Sequence, residues 1–175
     1  MKQDYLREAI LKEHSKAQCD VIVAWVGNNQ KRFDKLLQLL LIDPDPVVRQ
    51  RAGWPLGYCV ERRPGFMHQR LGPLLANLER PGLHDAVRRN TVNILQAIDI
   101  PELYQGIVMD TCFSMVSSME EKVAVKASAI SVLANLAKEY PEIIPELQLV
   151  IATTLPHQTA GFKSRARLVL ASLGC

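Results

Sequence analysis

The stretch DPVVRQRAGWPL, residues 45–56, contains a pattern that returns three times further along the chain. An apolar residue is followed by a basic one, with a small residue three positions after the basic residue and a leucine seven positions after it. The basic residues, here called the anchors, recur at intervals of 39, 38 and 37 residues and are Arg49, Arg88, Lys126 and Lys163. Positions three and seven after an anchor share one face of a helix, so each copy predicts a helix that packs through this stripe.

Leucine-rich segments between the anchored helices predict their antiparallel partners. These segments are residues 33–42, 71–78, 103–116 and 143–155. A weaker unit at the N-terminus, with Lys16 as its anchor, adds helices over residues 3–14 and 15–26. No alternation of period two and no hairpin turn competes with this pattern. The sequence therefore predicts an all-α fold of ten helices in five pairs.

Several residues mark the ends of these helices. Asp45 suits the N-cap of a helix whose first turn holds Pro46. Residues 118–121, SMEE, have the S-x-x-E form of a capping box. Gly27 stands where the second helix should end. Trp25 lies just before it in a strongly apolar run, so we expect its side chain in the core.

The units resemble the HEAT repeat, a helix pair in which an acidic residue followed by Val-Arg or Val-Lys opens the second helix. Residues 45–49 and 85–88 fit this pattern well, residues 121–126 fit it loosely, and residues 159–163 lack the acid. The resemblance implies an all-α, right-handed α-solenoid of about five antiparallel helix pairs. It also implies a single domain over residues 1–175, with units at approximately 1–29, 30–64, 65–100, 101–140 and 141–175.

HEAT proteins are mostly scaffolds and adaptors, so the resemblance implies a non-enzymatic chain that binds a protein or peptide on a concave face lined by the second helices. The positions one, two and five after each anchor are the candidates for that face. In the second and third units these positions suggest a binding patch of Arg51, Trp54, Arg89, Asn90 and Asn93. A tryptophan beside two guanidinium groups and two amides suits the acidic end of a peptide.

Two alternatives concern individual side chains of this face. Trp54 could instead fill a gap where Pro55 bends the helix. The anchors Arg49, Arg88, Lys126 and Lys163 could form a phosphate-binding ladder, but they are expected to be structural, with hydrogen bonds or ion pairs that brace the stack.

Net charge and motifs limit the other functions. The formal charge of +3 is small for a nucleic-acid binder, and the sequence contains no G-x-S-x-G, no H-E-x-x-H and no phosphate-binding glycine loop. Residues 117–122, SSMEEK, are similar to the signature loop of the fumarase and adenylosuccinate lyase superfamily but lack its proline and asparagine, so we expect no catalytic residues. Two alternatives to a scaffold stay open: a nucleic-acid-binding or DNA-base-processing protein, similar in architecture to the DNA-alkylation-repeat glycosylases, and a subunit of a larger assembly held through Leu168.

Cysteine and histidine spacing predicts no metal and no cofactor. The four cysteines are far apart and form no C-x-x-C pair, so buried thiols are expected at Cys19, Cys59, Cys112 and Cys175. The four histidines have no ligand spacing. The opening residues 1–8 lack the apolar core of a signal peptide, and no apolar run is long enough to span a bilayer. These features predict a cytoplasmic protein that does not enter a membrane.

Overall fold

The computed structural model describes residues 5–174, and over these residues it contains α-helices and short 3-10 turns but no strand. The helices are α1 (Tyr5–Lys12), α2 (Lys16–Val26), α3 (Gln30–Ile42), α4 (Pro46–Arg62), α5 (Leu71–Leu78), α6 (Asp85–Gln96), α7 (Glu102–Ser117), α8 (Val123–Leu136), α9 (Ile144–Thr154) and α10 (Ala160–Ser172). The predicted all-α fold of ten helices is confirmed. The predicted start of the first helix at Gln3 lies outside the described residues.

The chain groups into two compact units, Met1–Asp99 and Ile100–Cys175. In the first unit, α4 is the central helix and packs against α1, α2, α3 and α6. In the second unit, α8 takes the central place and packs against α7, α9 and α10. Both central helices are anchored helices of the sequence repeat. The assignment of residues 1–175 to one domain with five repeat units stays a prediction.

Side-chain caps fix where several helices begin. The Asp45 carboxylate accepts a hydrogen bond of 2.8 Å from the Val47 amide, directly before Pro46 opens α4. Ser15 and Asn29 cap α2 and α3 in the same way. Gly27 ends α2 with a φ of 51°, a left-handed conformation that glycine adopts without steric cost. The end of α2 and the start of α4 therefore lie where the sequence predicts them.

The repeat register predicts the core of both units. The small residue three positions after each anchor is fully or almost fully buried in all four copies: Ala52, Thr91, Ala129 and Ala166. The leucines seven positions after the first three anchors are buried as well: Leu56, Leu95 and Leu133. The last of the series, Leu170 in α10, is only half-buried. The stripe is thus a core stripe in α4, α6 and α8, and it loosens toward the end of α10.

Two local predictions are wrong. Ser118 does not cap a helix start, because α7 continues to Ser117 and the Ser118 hydroxyl accepts from the Glu120 amide in the loop, while α8 begins later, after Lys122. Trp25 is half-buried rather than in the core. Its indole lies against Tyr5, with ring centroids 5.6 Å apart, and under the Arg32 guanidinium at 4.8 Å. The apolar run around Trp25 therefore includes several positions at the surface, among them the exposed Val21 and Ala24.

The cysteines behave as core residues. Cys19, Cys59 and Cys112 are buried free thiols, as predicted, and Cys175 lies outside the described residues. Burial raises the pKa of Cys19 to about 11 and that of Cys59 and Cys112 to about 12. Because the thiolate is the reactive form, these three groups are poor nucleophiles at neutral pH.

Candidate functional site

The predicted patch lines a single cavity of about 650 Å³ between α4 and α6, here called the α4–α6 cleft. All five residues of the sequence-predicted patch line it. Four further residues complete the lining: His14, Val47, Gln50 and Ala86. The patch forms because α4 and α6 pack side by side within the first unit, so equal offsets after Arg49 and Arg88 face the same space.

Trp54 forms an aromatic wall of the α4–α6 cleft. Its indole is half-buried and meets the His14 ring edge-on, with centroids 5.3 Å apart. The Tyr58 ring also lies near the indole, with centroids 6.5 Å apart, and the Lys16 ammonium stands 4.6 Å from the centre of the Tyr58 ring. The indole is therefore held by neighbours while part of it stays open to the cleft. An aromatic surface of this kind can stack on a planar or apolar group of a ligand.

The two arginines of the α4–α6 cleft differ in how they are held. Arg51 is half-buried and donates a 3.1 Å hydrogen bond to the Leu11 carbonyl at the end of α1, which fixes its guanidinium and leaves other N–H groups to donate. Arg89 is exposed and makes no hydrogen bond or ion pair with another described residue. None of the described residues that line the cleft is acidic. The cleft is therefore a positively charged site without a built-in counterion.

Asn90 of α6 lies directly over Gly53 of α4. A Cβ atom added to Gly53 would stand 2.3 Å from Asn90 Nδ2 and 2.8 Å from Asn90 Cβ, both far inside van der Waals contact. Glycine at position 53 thus allows the close approach of the two helices and sets the position of Asn90 in the cleft. Gly57, one turn further along α4, has nothing within 4 Å of the same added atom.

This contrast gives a matched pair of glycine variants. Gly53→Ala is expected to lower the free energy of unfolding by about 1–3 kcal/mol, because the added methyl group overpacks the α4–α6 contact. Gly57→Ala is expected to raise it by about 0.5–1 kcal/mol, because alanine restricts the unfolded chain and favours the helix. Urea denaturation measures both. Equal effects of the two substitutions would contradict the close contact between Gly53 and Asn90.

The anchors lie beside the core and not in the α4–α6 cleft. Arg49, Arg88 and Lys163 are half-buried, whereas Lys126 is only 2% exposed. The side chains of Arg49, Lys126 and Lys163 make no hydrogen bond or ion pair with another described residue. A bracing role for the anchors stays a prediction, and these three do not show the pairing on which it was based.

Sequence reasoning named five of the nine residues that line the cleft as its binding patch and placed Gln50 among the outward positions. It missed His14, which lies in the turn between α1 and α2, outside the repeat register. Val47 and Ala86 each lie two positions before their anchor, in the first turn of α4 and α6. This shared position in the register could have predicted that both line the cleft. His14 has no such signal, because it reaches Trp54 only through the packing of α1 on α4.

Neither a metal-binding cluster nor a membrane-spanning helix occurs among the described residues. Among residues 5–174, no three histidine, cysteine, aspartate or glutamate side chains come together in a group that could hold a metal ion. Over the same residues, no helix has the length and apolar composition that crossing a membrane requires.

A family model described as a HEAT repeat domain matches residues 6–173. The chain belongs to the HEAT-repeat family. No curated protein and no solved structure matches it. HEAT repeats commonly mediate interactions with other proteins and are typically not enzymes. In this HEAT protein, the α4–α6 cleft is a positively charged surface with an aromatic side chain, and it lies between two helices of the repeat.

Proposed function

We propose that this HEAT protein is a non-enzymatic adaptor that binds an acidic segment of a partner protein in the α4–α6 cleft. The observation that carries the proposal is the composition of the cleft, which combines Trp54, Arg51 and Arg89 with no acidic lining residue. A carboxylate that enters the cleft would meet two guanidinium groups, which donate hydrogen bonds in a planar fork. The size of the cleft, about 650 Å³, suits a few residues of an extended peptide.

Each side chain of the cleft would make a different contact with the acidic segment. Arg89, which is exposed and unpaired among the described residues, is the group best placed to move onto a partner carboxylate. Arg51 is already anchored on Leu11 and offers its remaining N–H groups from a fixed position. Asn90, held against Gly53, adds an amide that can pair with a peptide backbone. The indole of Trp54 supplies the apolar contact.

A labelled peptide tests this proposal. The probe is a fluorescein-labelled, glutamate-rich peptide that contains one leucine, and its control is the same peptide with glutamine in place of each glutamate. Fluorescence anisotropy is expected to show saturable binding of the acidic probe and much weaker binding of the neutral control, because the cleft has no counterion of its own. Equal affinity for the two peptides would contradict the proposal.

Arg89→Ala is expected to weaken binding of the acidic probe roughly tenfold or more, because a charge-assisted hydrogen bond is lost. Arg165→Ala provides the matched control, since Arg165 is also an exposed arginine but lies on α10, outside the lining of the cleft. The Arg165 variant should bind like the parent. Equal losses in both variants would show that net charge, and not the cleft, attracts the probe.

Fluorescence anisotropy also distinguishes the adaptor proposal from the nucleic-acid-binding alternative. A labelled DNA duplex is expected to bind weakly at physiological salt, because the net charge of the chain is only +3. Tighter binding of the duplex than of the acidic peptide, with a steep dependence on salt that Arg89→Ala reduces, would replace the adaptor proposal with a nucleic-acid-binding one.

A further inference from the structure

A second cavity, of about 250 Å³, lies within the unit formed by Ile100–Cys175 and is here called the α8–α9 cavity. Two polar residues line it: Lys126 of α8, and Gln158, which follows the 3-10 turn after α9. Met119, Leu149 and Val150 supply apolar walls. The first two of these apolar side chains are 83% and 66% exposed, so the cavity has an apolar rim open to solvent.

Lys126 is buried without a partner. The residue is 2% exposed, yet its side chain makes no hydrogen bond or ion pair with any described residue. No acidic side chain of the described residues lines the cavity. The Lys126 side chain is covered by protein, but its ammonium keeps access to the cavity, so an anion bound there can accept its hydrogen bonds. The anchors Arg49, Arg88 and Lys163 are all more exposed than Lys126.

A second polar atom in the same cavity also lacks a partner. Gln158 Oε1 is buried and accepts no hydrogen bond. The threonines of the wall do not fill this role, because Thr153 and Thr154 donate their hydroxyl protons to the Leu149 and Val150 carbonyls of α9, each at 2.8 Å. The cavity therefore offers a cation that needs an acceptor, an oxygen that needs a donor, and apolar surface beside both.

We propose that the α8–α9 cavity binds a small carboxylic acid that carries an apolar chain and one hydroxyl or amide N–H group. Its carboxylate accepts hydrogen bonds from the Lys126 ammonium, and its own O–H or N–H donates to Gln158 Oε1. Its apolar chain packs against Leu149 and Val150. The volume of the cavity is below the range of drug-sized sites, which limits the ligand to the size of a small metabolite. This site is independent of the proposed peptide site.

The probes are 2-hydroxy-4-methylpentanoate and N-acetyl-leucine, which both combine the three features. We expect ligand-observed NMR titration of the full chain to give saturable binding of at least one of them at millimolar concentration or below. The methyl esters, which lack the charge, and 4-methylpentanoate, which lacks the donor, should each bind at least about tenfold more weakly. The proposal is overturned if neither acid binds, or if the esters bind equally well.

Two cavity variants and one control variant test whether the ligand binds in the α8–α9 cavity. Lys126→Met should weaken binding of the acids about tenfold or more, because it removes the ammonium that donates to the carboxylate while keeping a long side chain. Lys138→Met, at an exposed lysine just after α8, should leave binding unchanged. Gln158→Met should abolish the preference for the hydroxy acid over 4-methylpentanoate. Unchanged binding in both cavity variants would overturn the assignment.

A further comparison tests whether the carboxylate comes from a small molecule or from the C-terminus of a peptide. A peptide that ends in leucine with a free C-terminus presents the same carboxylate and backbone N–H as N-acetyl-leucine. The proposal predicts that this longer peptide binds no better than the small acid, because the cavity has room for a metabolite-sized group only. Markedly tighter binding of the peptide would overturn the small-molecule assignment in favour of a chain terminus.

Discussion

Replacement of Leu133 by alanine is expected to lower the free energy of unfolding by about 2–5 kcal/mol. Leu133 lies in α8, the central helix of its unit, and its side chain is completely buried. The substitution removes buried methyl groups and leaves a cavity that α7, α9 and α10 can close only in part. Urea denaturation followed by circular dichroism measures the change.

Leu103→Ala is the matched control for Leu133→Ala. Leu103 is also a helical leucine in the same unit, but it is 79% exposed on α7. Its replacement should change the free energy of unfolding by less than about 0.5 kcal/mol, because no buried contact is lost. Similar destabilisation by the two substitutions would mean that the repeat register does not define the core.

The register predicts burial best where a helix has neighbours on several sides. Leu133 and Leu170 occupy the same place after their anchors, yet Leu170 is only half-buried. The difference follows from packing, because α8 is covered by three helices of its unit whereas the main neighbour of α10 within that unit is α8. A sequence stripe shows which face of a helix is apolar, but the amount of covering depends on the rest of the fold.

Local signals succeed where they act within a few residues. Asp45 with Pro46 opens α4 as predicted, because the cap and the first turn are adjacent in sequence. The S-x-x-E form at residues 118–121 fails because the preceding helix extends to Ser117 and leaves Ser118 in the loop. The prediction for Trp25 is wrong for another reason: its indole lies at the edge of the core against Tyr5 and the Arg32 guanidinium, so the apolar run overstates its burial.

The candidate site shows the same division between register and packing. Six of the cleft residues on α4 and α6, the five of the patch and Gln50, could be predicted, since equal offsets on neighbouring helices of a repeat lie side by side. The contact of Asn90 with Gly53 and the approach of His14 to Trp54 depend on the distance between elements, which the sequence pattern does not contain. The buried, unpaired state of Lys126 has the same origin, because its anchor position is shared with three more exposed residues.

Trp54→Ala is expected to weaken binding of the glutamate-rich peptide by roughly 30-fold or more, which corresponds to about 2 kcal/mol, because aromatic side chains at the centre of a site carry much of its binding energy. The competing role, a plug for a bend at Pro55, makes a different prediction. A plug contributes to the free energy of unfolding, and an apolar side chain of similar burial should replace it without loss of binding.

Trp54→Leu separates these two roles, because leucine keeps apolar volume but removes the aromatic face. If the indole contacts the partner, Trp54→Leu should stay folded with a melting temperature near that of the parent and still lose most of its affinity for the peptide. A second measurement uses the chain that keeps Trp54 but carries Trp25→Phe, so that Trp54 is its only tryptophan. Its fluorescence should be quenched by iodide in the free protein and protected when the peptide binds, since the half-buried indole is open to the α4–α6 cleft. Full affinity in Trp54→Leu, together with an indole that iodide never reaches, would assign Trp54 to packing alone and remove it from the binding site.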